Sequence, residues 1–290
     1  MRLNTERLVK LSVYGEVSSP TIISPYRVNA EGKGLVLPTL GGITYNVRVG
    51  DPALGWVGDH VEPGVSLKNK ERDESNALNI LSCIGNRARV ISGEAKGEIG
   101  TVTGKHGGIE HVLIDFPEDV LNKLVIGDKI QIESYGQGLE IQDFPRIKVM
   151  NISPELLAML NIRELEDRLE VGVRKIIPAE LMGSGIGSAT SFSGDYDIMT
   201  QDRKAIRSLG LEDLCLGDIV GIMDMDNRYG RSYRKGARSI GIVIHCDCVQ
   251  AGHGPGVTVV LSSSDSSIEF FIDETANIAR ILKIGRYRDG

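Results

Sequence analysis

Two of the five histidines in this chain stand close together, His245 in His245-Cys246-Asp247-Cys248 and His253 in Gly252-His253-Gly254-Pro255-Gly256. Imidazole beside carboxylate is the donor set used for zinc, manganese or iron and for proton transfer near neutral pH. The segment predicts a divalent ion, zinc or manganese, held by His245, Asp247 and His253. Asp224 and His106 are the candidate general bases. Asp224 opens Asp224-Met225-Asp226-Asn227, and His106 lies in Gly104-Lys105-His106-Gly107-Gly108, where glycine backbone lets a ligand come near. Arg228 and Arg231 are candidate anion binders, since the planar guanidinium matches carboxylate or phosphate. Gly183, Ser184 and Gly185 add closely spaced amides of the kind that form an anion-binding nest.

Each feature has a plainer structural counterpart. A histidine in a loop can be merely solvated, and a glycine-rich turn can be merely closely packed. The charged run Asp224 to Arg238 can be a hairpin whose charges neutralise one another. Asp224-x-Asp226-Asn227 is not an EF-hand, because Arg228 occupies a ligand position and no glutamate stands at the distal spacing. The loop from Met182 to Ser188 fits neither the dinucleotide fingerprint nor the P-loop. Cys246 and Cys248 continue the alternation of Ile240, Ile242 and Ile244, which predicts a buried apolar stripe with His245 and Asp247 on the opposite face. Cys83 and Cys215 show no metal-ligand spacing, and four cysteines in a chain of 290 residues make no disulfide framework.

Short β-branched runs separated by many of the 35 glycines must position these groups. This pattern predicts a mainly β protein in two parts, with few short helices. Strands are expected at 43–49, 88–92, 99–103, 111–116, 129–133, 219–223, 239–245, 257–261 and 268–272. Helices are expected at 71–84, at 154–160 behind the Ser153 cap, at 201–209, and at 274–282 behind Asp273. A boundary near 140–153 would divide an N-terminal β domain, 1–145, from a C-terminal β-rich domain, 146–290, that carries the glycine-rich site loops.

Composition narrows the function classes. A net charge of −6 argues against broad, sequence-independent nucleic-acid binding. No apolar run approaches the roughly 20 residues of a membrane helix, and the first residues have no signal-peptide core, so a cytoplasmic protein without membrane partners is expected.

The stretch from Gly85 to Val102, with Gly93, Gly97 and Gly100 between branched residues, resembles the KOW motif of ribosomal and transcription-elongation proteins. The resemblance implies a small SH3-like barrel in the first half and contact with RNA or protein, although Glu94, Glu98 and Glu110 depart from the basic character of RNA binders. Over nearly its full length the chain resembles a prokaryotic family known as domain of unknown function DUF4438. The phrases that carry this likeness are His106-Gly107-Gly108, Gly183-Ser184-Gly185-Ile186-Gly187, Gly194-Asp195-Tyr196-Asp197 and Gly252 to Gly256. It implies a two-part, mainly β protein and supplies no activity.

The residues then support a metal-dependent hydrolase acting on a small anionic or amide-bearing molecule. The competing reading is a non-enzymatic protein whose barrel and loops bind RNA, another protein or a small ligand; a homo-oligomer with loops packed between subunits is the third. Convergence of His106, His245 and His253 in one cleft is what the enzyme reading requires.

Overall fold

The computed structural model describes residues 1–22 and 24–288. Alternation of apolar and polar residues builds the first half. In Lys129–Ser134, Ile130 and Ile132 turn inward while Lys129, Gln131 and Glu133 face out. Strands Leu11–Val17, Lys129–Ser134, Arg87–Val90, Ile99–His106, His111–Asp115 and Gly64–Lys68 lie edge to edge in that order, all antiparallel. Gly64–Lys68 pairs back onto Leu11–Val17 through Glu16↔Lys68 and Val17↔Leu67, closing a six-stranded barrel. Closure leaves no free edge, and the interior is filled by Val65, Leu67, Val90, Val102, Ile114 and Ile130 among others.

The second half is built on a sheet ordered Lys148–Val149, Gly256–Ser263, Ser232–Val243, Ile219–Asp226 and Lys175–Ile177, with Tyr196–Asp197 paired to Gly256–Ser263. A smaller sheet joins Ile162–Glu164, Leu169–Val173 and Ile268–Ile272. One core packs Leu113 and Ile84 against Ile240, Ile242, Ile244 and Leu261, so residues from both sequence halves share it.

Helices are few and short. Arg72–Leu81 ends earlier than the expected 71–84, and Pro154–Met159 is capped by Ser153 Oγ, which accepts from Leu156 N at 3.1 Å. Arg203–Ser208 is capped by Asp202, since the Thr200 hydroxyl is given to Asp247. Ile278–Leu282 begins at Asn277, the Asp273 carboxylate being taken up by the Thr275 turn. Only Ile43–Thr44 of the expected strand 43–49 is extended in a sheet. Beyond it the chain leaves the barrel, and Gly50 N and Ala53 N donate to Leu216 O and Leu214 O at 2.8 Å each.

The isoleucine stripe also ends sooner than alternation predicts. The strand stops at Val243, a register shift at Ile240/Gly241 precedes it, and Cys246 packs with Val243 and Val257 in a different core from Ile240, Ile242 and Ile244. Past the last ladder bond the period of two no longer governs where side chains point.

Candidate metal centre

All five histidines are drawn into one cluster. His60 lies with its ring 5.6 Å from His106, 5.1 Å from His245 and 5.2 Å from His253, and the rings of His106 and His245 are 4.2 Å apart. His111 joins at one remove through Glu62.

Three separate pieces of chain deliver these rings. His106 ends strand Ile99–His106, which can press against the segment after Val243 because residue 104 is glycine: a Cβ there would stand 2.5 Å from Ile244 Cβ. His245 lies just past the end of strand Ser232–Val243 and is fully buried. His60 comes from the loop before strand Gly64–Lys68, with a left-handed φ of 53°. A non-glycine residue held there stores strain that surrounding contacts must sustain. Those contacts exist: His60 N donates to Asp247 O at 3.2 Å, and Cys246 N donates to Val61 O at 2.9 Å, lacing the two loops together.

The rings are oriented from behind. His106 Nδ1 is 2.6 Å from Glu62 Oε1, His60 Nδ1 is 3.2 Å from Asp59 Oδ2, and His245 Nδ1 is 2.7 Å from the Cys246 carbonyl. Tying Nδ1 to an acceptor fixes the tautomer and leaves Nε2 as a ligand, the arrangement common behind metal-bound histidines. Glu62 is fully buried and also accepts from Ser66 Oγ and Gly41 N; Asp59 is paired with Arg27 at 3.0 Å.

Two further carboxylates complete the inner wall. Asp195 and Asp197 share a face about the short strand Tyr196–Asp197, while Tyr196 between them goes into a core. Asp195 Oδ2 lies 2.9 Å from His245 Nε2, and both atoms are buried without a hydrogen-bond partner, since the pair is out of line for one. Asp197 Oδ2 lies 2.8 Å from His253 Nδ1. Gly256 makes room for this: a Cβ there would fall 1.9 Å from Asp195 Oδ2 and 2.3 Å from His245 Nε2.

Buried carboxylates outnumber nearby arginines, and the charge balance shows it. Burial pushes the Glu62 carboxyl up, yet His111 and His106 hold it well below its usual range. Burial opposes charge on His60, but the bonds to Asp197 and Asp59 push it up to about 12. Asp195 and Asp197 are likewise held low against burial, by His106 and His245 and by His253 and His60 respectively. Such a site calls for cations, and a proton and a metal ion compete for the same lone pairs. His60, His106 and His245 present ligand atoms within 4.8 Å of one another, as do Asp195, Asp197 and His245, and His60, Cys248 and His253. The Cys248 thiol, pushed up to about 11 chiefly by burial, donates to Asp59 Oδ1 at 3.0 Å.

The cluster floors a cleft of about 440 Å³, walled by Arg27, Gly107 to Glu110, Ser184, Gly185, Ser193 and Arg231. Arg231 is 5% exposed, lies over the Tyr196 ring and donates to Ser193 O at 2.9 Å. Among the described residues its Nε has no partner and no carboxylate lies within ion-pair distance. A buried guanidinium without a counter-ion, facing a cleft, suits an anionic ligand.

Of the residues expected from sequence, His106, His245, His253, Arg231, Ser184 and Gly185 meet here. Asp247 does not: its carboxylate is held by Thr200, by Arg203 at 2.9 Å and by Cys248 N, because the turn after Val243 sends it away from His245. Asp224 sits at a bulge, φ 54°, and accepts from Gly236 N at 2.7 Å, so it shapes the hairpin and lies outside the cleft wall. Arg228 is spent in a two-point pair with Asp226 at 3.0 and 2.9 Å. Gly183 N donates to Asp197 O and Ser184 N to Gly252 O at 2.8 Å each, so both amides are taken up by backbone carbonyls and form no open nest. His60, Glu62, Asp59 and the approach of Asp195 and Asp197 to these rings were missed. The phrase Gly58-Asp59-His60-Val61-Glu62-Pro63-Gly64, a histidine between carboxylates bounded by glycines, carries the same signal as the segment around His245.

The description "Domain of unknown function (DUF4438), N-terminal" matches residues 26–158, and its C-terminal counterpart matches residues 159–282. No curated protein matches the chain. Among solved structures, the crystal structure of TM1086 is 54% identical over 96% of this chain and 98% of that one, with a TM-score of 0.93.

Proposed function

The chain belongs to the DUF4438 family, both of whose domains are described as of unknown function, and from the site alone we propose a metal-dependent hydrolase acting on a small anionic or amide-bearing molecule. One observation carries this reading. Three imidazoles are tied through Nδ1 to acceptors behind them and turn Nε2 toward one another, in a group whose ligand atoms lie within 4.8 Å and from which His60 and His106 reach the cleft. Its volume, about 440 Å³, suits a small molecule.

His106, His245 and Asp195 would hold the ion, and the mixed nitrogen and oxygen donors fit zinc or manganese. Such an ion, when bound, supplies Lewis acidity and lowers the pKa of a water it holds. Arg231 binds the anionic group of the substrate and orients its reacting carbon or phosphorus over the floor. Glu110, on the cleft wall and in none of the ion pairs among the described residues, would take the proton that the attacking water loses and return it to the leaving group as its bond to the substrate's carbon or phosphorus breaks. Ser184 lies on the same wall and donates to the substrate's polar atoms.

The test uses the full chain prepared without a histidine tag, analysed for metal and assayed on small esters, amides and phosphate esters with and without chelator. Turnover that needs the ion is expected, and Glu110→Gln should lower kcat by about 10²- to 10³-fold with ion content unchanged. No bound ion, together with no thermal shift on adding zinc, manganese or calcium, would end this reading.

A further inference from the structure

Asp197 stands between two sets of ligands, and its two oxygens face different sets. On one side Oδ1 is 3.7 Å from His245 Nε2, which is itself 2.9 Å from Asp195 Oδ2. On the other, Oδ2 is 2.8 Å from His253 Nδ1 and 3.7 Å from His60 Nε2, and those two nitrogens are 3.3 Å apart. Donors on one ion with bonds of about 2.0–2.2 Å lie roughly 3–3.5 Å from each other, and the separations here, from 2.8 to 3.7 Å, bracket that spacing. We propose that the cleft floor binds two divalent ions bridged by the Asp197 carboxylate, one held by His245, Asp195 and His106 and the other by His60 and His253.

An independent feature points the same way. His245 is 0% and Asp195 6% exposed, and the facing atoms His245 Nε2 and Asp195 Oδ2 are buried, unpartnered and misaligned for a hydrogen bond. Two buried ligand atoms 2.9 Å apart with no other partner are what a shared ion would satisfy. The second set has its own support from behind, because Asp59 fixes His60 Nδ1 and so presents Nε2 to Asp197. A carboxylate that bridges through both oxygens holds ions about 3.5–4 Å apart, a spacing that stabilises the attacking and leaving oxygens of a displacement together. With Arg231 on the wall, the pair provides three positive centres around one tetrahedral anionic group, which makes phosphate esters the favoured substrate class. This inference rests on the ion-dependent reading above and adds the second ion, its ligands and the class of substrate.

The full chain, stripped of metal and titrated with Mn²⁺, distinguishes the cases by elemental analysis and electron paramagnetic resonance. The expected result is two ions per chain with an exchange-coupled spectrum. His253→Ala, at a partly exposed position on the rim, should bind one ion and show an uncoupled signal, and Asp195→Asn should also bind one. Asp197→Asn should abolish the coupling; melting temperature and circular dichroism establish that each variant is folded. Saturation of the wild type at one ion, or two ions retained by His253→Ala, overturns the proposal. One ion with ion-dependent turnover removes the second site and leaves the hydrolase reading intact, whereas two ions without turnover on any ester, amide or phosphate ester does the reverse.

Discussion

Glu62 lies outside the cleft lining, yet four donors converge on it: His106, His111, the Ser66 hydroxyl and the Gly41 amide. A carboxylate can accept from all of them, whereas an amide brings its own hydrogens to a place where only acceptors fit. Glu62→Gln should therefore free the His106 ring and weaken ion binding by about 10- to 100-fold, read by competition with a chelator of known affinity. Unchanged affinity would show that His106 needs no such support. Gly256→Ala tests the opposite side of the same ring set. Its Cβ would fall on Asp195 Oδ2 and His245 Nε2, so ion content should drop sharply with the barrel still folded, measured by elemental analysis and circular dichroism. These contacts also mark what was legible beforehand. His106, His245, His253 and Arg231 announce themselves through glycines and neighbouring charges, whereas the expected place of Asp247 beside His245 depended on extrapolating strand alternation past Val243. His60 was hidden for another reason: its placement comes from backbone bonds to residues nearly two hundred positions away, which local pattern does not contain.

Element types were read more securely than element ends. Strand Ile268–Ile272 falls where alternation and turn residues put it, and the Ser153 cap begins its helix as composition suggests. The ends differ because tertiary partners compete for the same groups: the Thr200 hydroxyl goes to Asp247, and the helix expected from 201 starts at Arg203 behind the Asp202 cap. A similar competition loads the start of strand Ile219–Asp226, where Asp218 is buried and accepts from Cys215 N and Asn277 Nδ2 at 2.8 Å each. Burial pushes its carboxyl up to about 6, the two donors only moderating the rise. Below pH 4 this group is protonated in both folded and unfolded chains; between about 4 and 6 only the folded chain keeps the proton; above 6 it is charged in both. Its contribution to stability thus falls as pH rises through that window, by on the order of 3 kcal/mol. Asp218→Asn removes the titration, so the variant should gain relative to wild type between pH 4 and pH 7 in urea-unfolding free energies. A difference that stays constant across those pH values would refute the assignment.

The cleft exists only because barrel and sheet are locked in one arrangement, and a single buried cation spans the joint. Lys105, beside His106, is 0% exposed and donates from Nζ to Ile80 O at 3.1 Å, Asn151 Oδ1 at 2.9 Å and Phe192 O at 3.0 Å. Asn151, at a left-handed φ of 58°, passes the connection on by donating to Ser191 O and Val259 O. None of the three acceptors is charged, so burial is uncompensated by a counter-ion and pulls the ammonium down to about 8. Two effects oppose each other in Lys105→Met. The variant escapes the cost of burying a charge, but it takes the donor from Asn151 Oδ1 and Phe192 O, each worth about 1–3 kcal/mol, whereas Ile80 O keeps Gln137 Nε2. Losing the partner of two acceptors outweighs the relief, and a net destabilisation on the order of 1–3 kcal/mol is expected in urea unfolding. The ion-site readout separates this joint from an ordinary core position. If Lys105 holds the halves in register for the cluster, folded Lys105→Met should also bind Mn²⁺ more weakly, because His106 on one side and His245 on the other are placed across that joint. A variant equally destabilised by Leu67→Ala, deep inside the barrel and away from the cleft, should bind as the wild type does. Equal ion affinity in both variants would mean that the rings are held by their own loops, and that Lys105 serves stability alone.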